Sequence, residues 1–274
     1  MAKKICSMGF LCLMILAIYL PILILAVYSF TDSANIGAIH GFSMQNYITL
    51  FTKQELTQMI SGTLLLAAGS SVLATILGTL GAVGVFYAKK PGKLLIGSLN
   101  QVPVVNADVV TGFSICILMI GVLGVDKSTF IPLVVGHVVL SAPFVYLAVV
   151  PKLKQMDNSL YEAAMDLGAS PAMALRRVVI PQIMPGILSG FMLAFTLSLD
   201  DYFITSYTKP ATFDTISTYV VNATKGSQTD IKTALWALST IIFIVVILAV
   251  VLMNVMDSRN MKKAGAENEK KKRM

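Results

Sequence analysis

Residues 161–181 read YEAAMDLGASPAMALRRVVIP. This is the most sharply punctuated amphiphilic stretch in a chain that is otherwise mostly apolar. Gly168 breaks the run that contains Glu162, Ala163 and Ala164. Ser170-Pro171 then restarts a helix, because serine is a good N-cap and proline suits the first helical position. Pro181, which lacks a backbone N–H, is expected to end that second helix. The stretch therefore predicts a helix, a tight turn and a short helix, carried on a loop between two hydrophobic spans. Ala163, Ala164 and Gly168 put little side chain in the way of an approaching surface. On a membrane protein such a knob suits docking better than catalysis.

The surroundings call for a membrane. The chain has 274 residues, 56% hydrophobic and 13% charged, with a mean hydropathy of +0.78. An ordinary soluble domain carries about 25% charged residues. Six apolar runs of bilayer length fall at roughly 10–30, 62–88, 102–124, 130–150, 185–207 and 234–256. They predict an all-α polytopic membrane protein with one transmembrane domain over residues 1–256. A loop at 151–184 carries the opening stretch, and a basic tail follows at 257–274. The first run follows Lys3 and Lys4, is too long for a signal-peptide core and lacks a small-x-small cleavage site, so it reads as a retained anchor.

Charge orients the spans. With the N-terminus inside, 16 of the 21 basic residues become cytoplasmic, including Lys89, Lys90, Lys93, Lys152, Lys154, Arg176, Arg177 and the tail lysines. Only Lys53, Lys127, Lys209, Lys225 and Lys232 face out. This asymmetry places both termini and the 151–184 loop in the cytoplasm. The tail would also attract anionic lipid head groups. Clustered at span ends, the net charge of +7 is explained by membrane orientation and not by nucleic acid.

Catalytic chemistry is sparse. There is no GxxxxGK[ST] phosphate loop, so ATP is not expected to bind this chain by that route. Cys6, Cys12 and Cys116 lack metal spacing and read as small buried apolar residues. His40 and His137 are isolated, and His137, inside a span, reads as a packing residue. The intramembrane acids say more. Asp200 and Asp201 are expected within the fifth span, toward the outside of its middle, at a cost of a few kcal/mol each. Either they line a path for a cation, with Tyr202 adding a cation–π face, or they are hydrogen-bonded to another helix or at a disrupted helix end near Pro210. Asp108, near the start of the third span, either caps a helix that begins after Pro103 or joins the path.

The loop also carries a resemblance. Glu162-Ala163-Ala164, three residues, Gly168, nine residues and Val178-Val179-Ile180-Pro181 resemble the EAA motif of ABC importer permeases, with valine and isoleucine where isoleucine and leucine are usual. The run from Tyr19-Leu20-Pro21 through Asp32, then Gly41-Phe42-Ser43 and Tyr47, is similar to spermidine/putrescine permeases of the PotC kind. So are Ser198-Leu199-Asp200-Asp201-Tyr202 and the 234–240 stretch. Asn106-Ala107-Asp108 departs from the Pro-Asp pair expected there.

That resemblance implies a MetI-like, type I ABC importer fold and no enzymatic activity in this chain. It implies translocation of polyamines into the cytoplasm across a bacterial inner membrane. ATP and Mg would be bound by a partner ATPase. The implied partners are a homologous second permease of the PotB kind, a dimer of ATPase subunits and an extracytoplasmic polyamine-binding protein. Glu162, Ala163, Ala164, Gly168 and Pro181 would form the ATPase-coupling loop; Asp200, Asp201, Tyr202 and Asp108 would line the translocation path. The alternatives are the same machine for ferric ion, thiamine or another small cation, and an ion-coupled secondary carrier.

Overall fold

The computed structural model describes residues 2–31, 41–157, 159–225, 233–244 and 247–248. The expected tail at 257–274, Asp32 and His40 lie outside the described residues. Among the described residues the chain is helical, with one isolated antiparallel bridge between Thr31 and Phe42. It divides into two compact units, Met1–Thr57 with Ala223–Met274, and Gln58–Asn222.

The first unit holds α1 (Ala2–Ser29), α2 (Gln45–Thr52) and α12 (Thr233–Ile244). Every side chain of α1 from Met8 to Leu20 is exposed. A helix that is apolar around its whole girth and covered by no protein belongs in lipid. The chain leaving α1 is clipped by Asn46, whose Nδ2 donates to Ser29 O and Thr31 O, each at 3.0 Å. Phe30 stacks on Phe42 with centroids 5.8 Å apart, and Tyr28 meets Trp236 edge-on at 5.7 Å.

The second unit is built on α3 (Gln54–Tyr87), α6 (Ile131–Gln155) and α9 (Ile180–Asp200). On α9 the buried residues are Ile183, Gly186, Gly190, Ala194 and Ser198, a helical stripe of period three to four. Lipid offers little hydrophobic drive between helices, so close backbone approach must supply the attraction. Glycine allows it. A Cβ at Gly190 would lie 3.0 Å from Val145 Cγ1, and one at Gly78 would lie 2.7 Å from Ala142 O and Val145 Cβ. The buried cluster around Val145, Val149, Leu153, Val179 and Ile183 fills the space between.

Among the described residues, four helical stretches are long and apolar enough to cross a membrane: Met8–Ser29, Gln54–Tyr87, Ile131–Gln155 and Pro171–Asp200. A fifth arises if a bent pair counts as one span. That pair corrects the continuous helix expected over 102–124. α4 (Lys90–Val105) ends at Asn106, and α5 (Asp108–Cys116) continues through a π-helical segment at Ile117–Val122. The two arms meet at 105°, because Asn106 and Ala107 are extended, with ψ of 146° and 136°.

Two further expectations are overturned. Pro181 does not end a helix. α8 (Pro171–Ala174) widens into a π-helical turn at Leu175–Val179 and runs on into α9. The wide turn accommodates a residue with no N–H to give and a ring that would crowd the carbonyl four residues back. Nor do Asp200 and Asp201 share one helix through 185–207. α9 ends at Asp200, Asp201 is extended, and the short α10 (Phe203–Thr208) follows. After a turn at residues 209–215, α11 (Ile216–Lys225) closes the unit.

Candidate functional site

The knob that opened the sequence is a helix, turn and helix. α7 (Ser159–Asp166) stops at Gly168, whose φ is +87°. This left-handed backbone is natural for glycine. The Gly168 and Ala169 N–H groups close the helix on Met165 O at 2.9 Å and Ala164 O at 3.0 Å. Ser170 caps α8, its Oγ accepting from Met173 N at 3.4 Å. The knob has two faces. Tyr161, Leu175 and Ile180 pack against the buried cluster. Glu162, Ala163 and Met165 are exposed, and Leu167 is 89% exposed. Asp157 accepts from Ser159 N at 3.0 Å, so a residue the sequence left unassigned supports the start of α7. That bond holds the Asp157 carboxyl below its ordinary pKa.

At the break after α9 the two adjacent acids do different work. The first N–H groups of α10 have no helical acceptor, and Ile204 and Thr205 are buried, so those groups need a partner within the protein. Asp201 supplies the acceptor. Its Oδ1 takes Ile204 N at 3.2 Å, and its Oδ2 takes Thr205 N and Thr205 Oγ1, both at 2.7 Å. On the other side Ser217 Oγ donates to Leu199 O at 3.1 Å, meeting a carbonyl that the end of α9 leaves over. Asp201 is buried, whereas Asp200 is exposed.

All four residues expected on the path line one cavity of about 500 Å³. Asp108, Asp200, Asp201 and Tyr202 surround it together with Val104, Asn106, Leu140, Phe144, Leu197 and Phe203. Pockets of about 300–1,000 Å³ hold small organic ligands. Asp108 is neither a cap nor buried. It sits in the exposed first turn of α5, while Asn106 Nδ2 reaches forward to Thr111 Oγ1 at 3.0 Å. The cavity thus combines carboxylates from two helices with aromatic and aliphatic walls, and no lysine or arginine is among its lining residues. Such a lining favours an elongated cation with apolar segments.

His137, read from the sequence as a packing residue, stands behind this wall with partners that the sequence did not supply. His137, fully buried, puts Nδ1 2.7 Å from Ser198 Oγ and Nε2 3.0 Å from Thr205 Oγ1. Ser198 Oγ lies 3.0 Å from Ser70 Oγ on α3. A lone histidine in an apolar run was the available signal, but its partners are 61 to 68 residues away in sequence.

The profile of binding-protein-dependent transport system inner membrane components matches residues 1–263. The chain belongs to this family. The permease is 30% identical over 241 residues to the spermidine/putrescine transport system permease protein PotC of Escherichia coli K12, covering 88% of this chain and 90% of that one. It is 34% identical over 196 residues to the putrescine transport system permease protein PotI of the same strain, covering 69% of each. Among solved structures it is similar to a chain of a bacterial alginate ABC transporter in complex with alginate pentasaccharide-bound periplasmic protein. There the TM-score is 0.67 at 18% identity, over 90% of this chain and 92% of that one. A chain of the MetNI methionine ABC transporter gives a TM-score of 0.54 at 14% identity, over 72% and 95%. The fold is therefore the MetI-like one expected of the permease, helical among the described residues and with several helices of membrane length.

Proposed function

We propose that the permease is one of two homologous membrane subunits of an ATP-driven importer that carries polyamines into the cytoplasm. The observation that carries this reading is the cavity in which Asp108, Asp200 and Asp201 share a lining with Asn106 and with aliphatic and aromatic side chains, and with no lysine or arginine. A carboxylate inside a membrane costs about 2.5–3.5 kcal/mol on insertion scales, and a passing ammonium offsets that cost. Asp200 has no hydrogen-bond donor among the described residues, so its charge is available to a ligand. The names of the PotC and PotI relatives support the substrate class.

In this reading the six spans are α1, α3, the α4–α5 pair, α6, α8 with α9, and a sixth that begins with α12. The basic residues of the 151–184 loop and the tail set both termini in the cytoplasm. The exposed face of α7, with Glu162 and Ala163 beside the half-buried Ala164, docks in a cleft of an ATPase subunit, which binds ATP and Mg. This chain is the gated element and carries no catalytic role. An extracytoplasmic binding protein delivers the polyamine, and closure of the ATPase dimer rocks the two permeases between inward- and outward-facing states.

The test is uptake of labelled spermidine and putrescine by cells expressing the chain with its partner subunits. Asp200→Asn abolishes or sharply lowers uptake while the complex still assembles. Uptake that is unchanged by Asp200→Asn, or competed by thiamine or ferric ion and not by polyamines, overturns the reading.

A further inference from the structure

Behind the cavity wall lies a buried polar chain that the functional reading does not use. It runs Ser70–Ser198–His137–Thr205–Asp201 across α3, α9, α6 and α10, with each contact at 3.0 Å or less. We infer that His137 is the positioning residue of this site: by bracing α10 against the end of α9, it fixes the helix break that presents Asp200 and Tyr202 to the cavity. The inference rests on the proposed transport role of that cavity.

Proton accounting gives the bracing a direction. Asp201 Oδ2 can only accept, so the single hydroxyl proton of Thr205 goes to it at 2.7 Å. Thr205 Oγ1 must then accept from His137, which places a proton on Nε2. In the neutral ring Nδ1 accepts the Ser198 hydroxyl proton at 2.7 Å. One side chain thus serves as donor to α10 and acceptor to α9. His137 Nε2 also stands 3.7 Å from Asp201 Oδ2.

Packing holds α10 close against two neighbouring helices at Ile204. A Cβ at Gly136, the residue before His137, would lie 2.5 Å from Ile204 Cγ2. On the opposite side, a Cβ at Gly112 of α5 would lie 3.0 Å from Ile204 Cα. A six-residue helix is too short to hold its own direction. Its placement comes from those two close approaches and the polar chain. Without the His137 bonds, Thr205 keeps only its contacts with Asp201 and Ser198 only its contact with Ser70, so the polar link between α9 and α10 is cut and α10 would shift. The break at Asp201 and Tyr202 would move with it.

The experiment uses the assembled importer in proteoliposomes with binding protein, and reads spermidine uptake and ATP hydrolysis separately. His137→Leu keeps the bulk and removes both bonds. His137→Gln restores an acceptor and a donor at similar reach. The expected result is that His137→Leu lowers uptake per ATP hydrolysed by about tenfold, within the range for two lost hydrogen bonds. Hydrolysis per assembled complex is retained, and His137→Gln recovers most of the loss. Equal coupling ratios in Leu and wild type overturn the inference, as does Gln faring no better than Leu. A parallel loss of assembled complex, uptake and hydrolysis with an unchanged ratio also overturns it, since that marks a structural role only. Asp200→Asn in the same assay separates the two claims. If Asp200→Asn is silent the transport reading itself fails, whereas a damaging Asp200→Asn beside a silent His137→Leu removes only the positioning role.

Discussion

The rings of Tyr87 and Tyr161 lie 5.2 Å apart between centroids, joining the last residue of α3 to α7. Phe86 adds an edge contact to Tyr87 at 5.1 Å, and Lys93 Nζ sits 5.6 Å from the Phe86 ring centroid. The knob is therefore attached to a membrane-length helix by a path other than its own chain. An aromatic pair contributes about 0.5–1.5 kcal/mol beyond area burial. Tyr161→Ala is expected to lower uptake per ATP hydrolysed, because a force applied to α7 no longer reaches α3. Tyr87→Ala should lower it similarly, and the double variant should be little worse than either single one. Additive losses in that double-mutant cycle would show that the pair does not act as a unit.

Gly168 offers a sharper test of the knob. At φ +87° a β-branched side chain meets its own backbone, at a cost of about 1–2 kcal/mol or more. Nothing lies within 4 Å of a Cβ built there, so the penalty is conformational and not a clash with a neighbour. Gly168→Val is expected to uncouple uptake from ATP hydrolysis or to prevent ATPase subunits from co-purifying. Gly168→Asn, which tolerates left-handed backbone, should retain most of both. Normal ATP-driven uptake by the valine variant would remove the turn from the coupling path.

Asp200 and Asp201 should separate cleanly. Asp201 accepts three hydrogen bonds at a helix start. Asp201→Ala leaves buried N–H groups unmet, at about 1–3 kcal/mol, and is expected to reduce the amount of folded permease recovered in detergent. Asp200→Asn should leave that amount unchanged and reduce uptake alone. Thermal unfolding of the two purified variants beside wild type decides the matter; equal midpoints for all three would contradict the assignment.

The pH behaviour of the knob follows from Asp157. Its carboxyl lies below the ordinary range because the Ser159 N–H favours the ionised form. A depressed carboxyl pKa in the folded state gives stability that is complete above the unfolded value of about 4 and lost as pH falls through the folded one. Amide exchange in α7, corrected for its intrinsic pH dependence, should therefore show constant protection from pH 5 to 8. It should weaken below pH 4. Asp157→Ala should exchange faster from pH 5 to 8, and the difference from wild type should shrink as pH falls below 4.

Much of the fold was legible because its signals are local. The 162–181 motif carries its own glycine, cap residue and spacing, and long apolar runs announce membrane helices. The bend between α4 and α5 was not, and the break after Asp200 stood only as one alternative, a disrupted helix end near Pro210. The segment around Asp200, LSLDDYFITSY, has no glycine or proline to mark an interruption. It breaks because Asp201 finds donors on α10, and α10 finds His137 and two glycines on other helices, none of them near in sequence. Pro181 misled in the opposite sense: a local helix-breaking signal was absorbed by a π-helical turn.

Small residues in α3 illustrate the same limit and carry a last prediction. Gly78, Gly81 and Gly84 look equivalent in sequence, a single small-residue face. The structure grades them. A Cβ at Gly78 would lie 2.7 Å from a backbone oxygen, Ala142 O, and from Val145 Cβ. At Gly81 the nearest atom is Tyr146 Cδ2 at 3.9 Å, and at Gly84 nothing lies within 4 Å. Gly78→Ala must therefore push α3 away from α6, since neither neighbour is the far end of a flexible side chain. Overpacking of this kind costs about 1–3 kcal/mol, and the separation would widen toward Ser70, loosening the polar chain that ends on His137. Gly84→Ala adds a methyl to an exposed helix face and improves helix propensity by about 1 kcal/mol. Melting of the purified permease is expected to fall for Gly78→Ala and to hold or rise for Gly84→Ala. The reverse order would mean that α3 and α6 do not pack through Gly78.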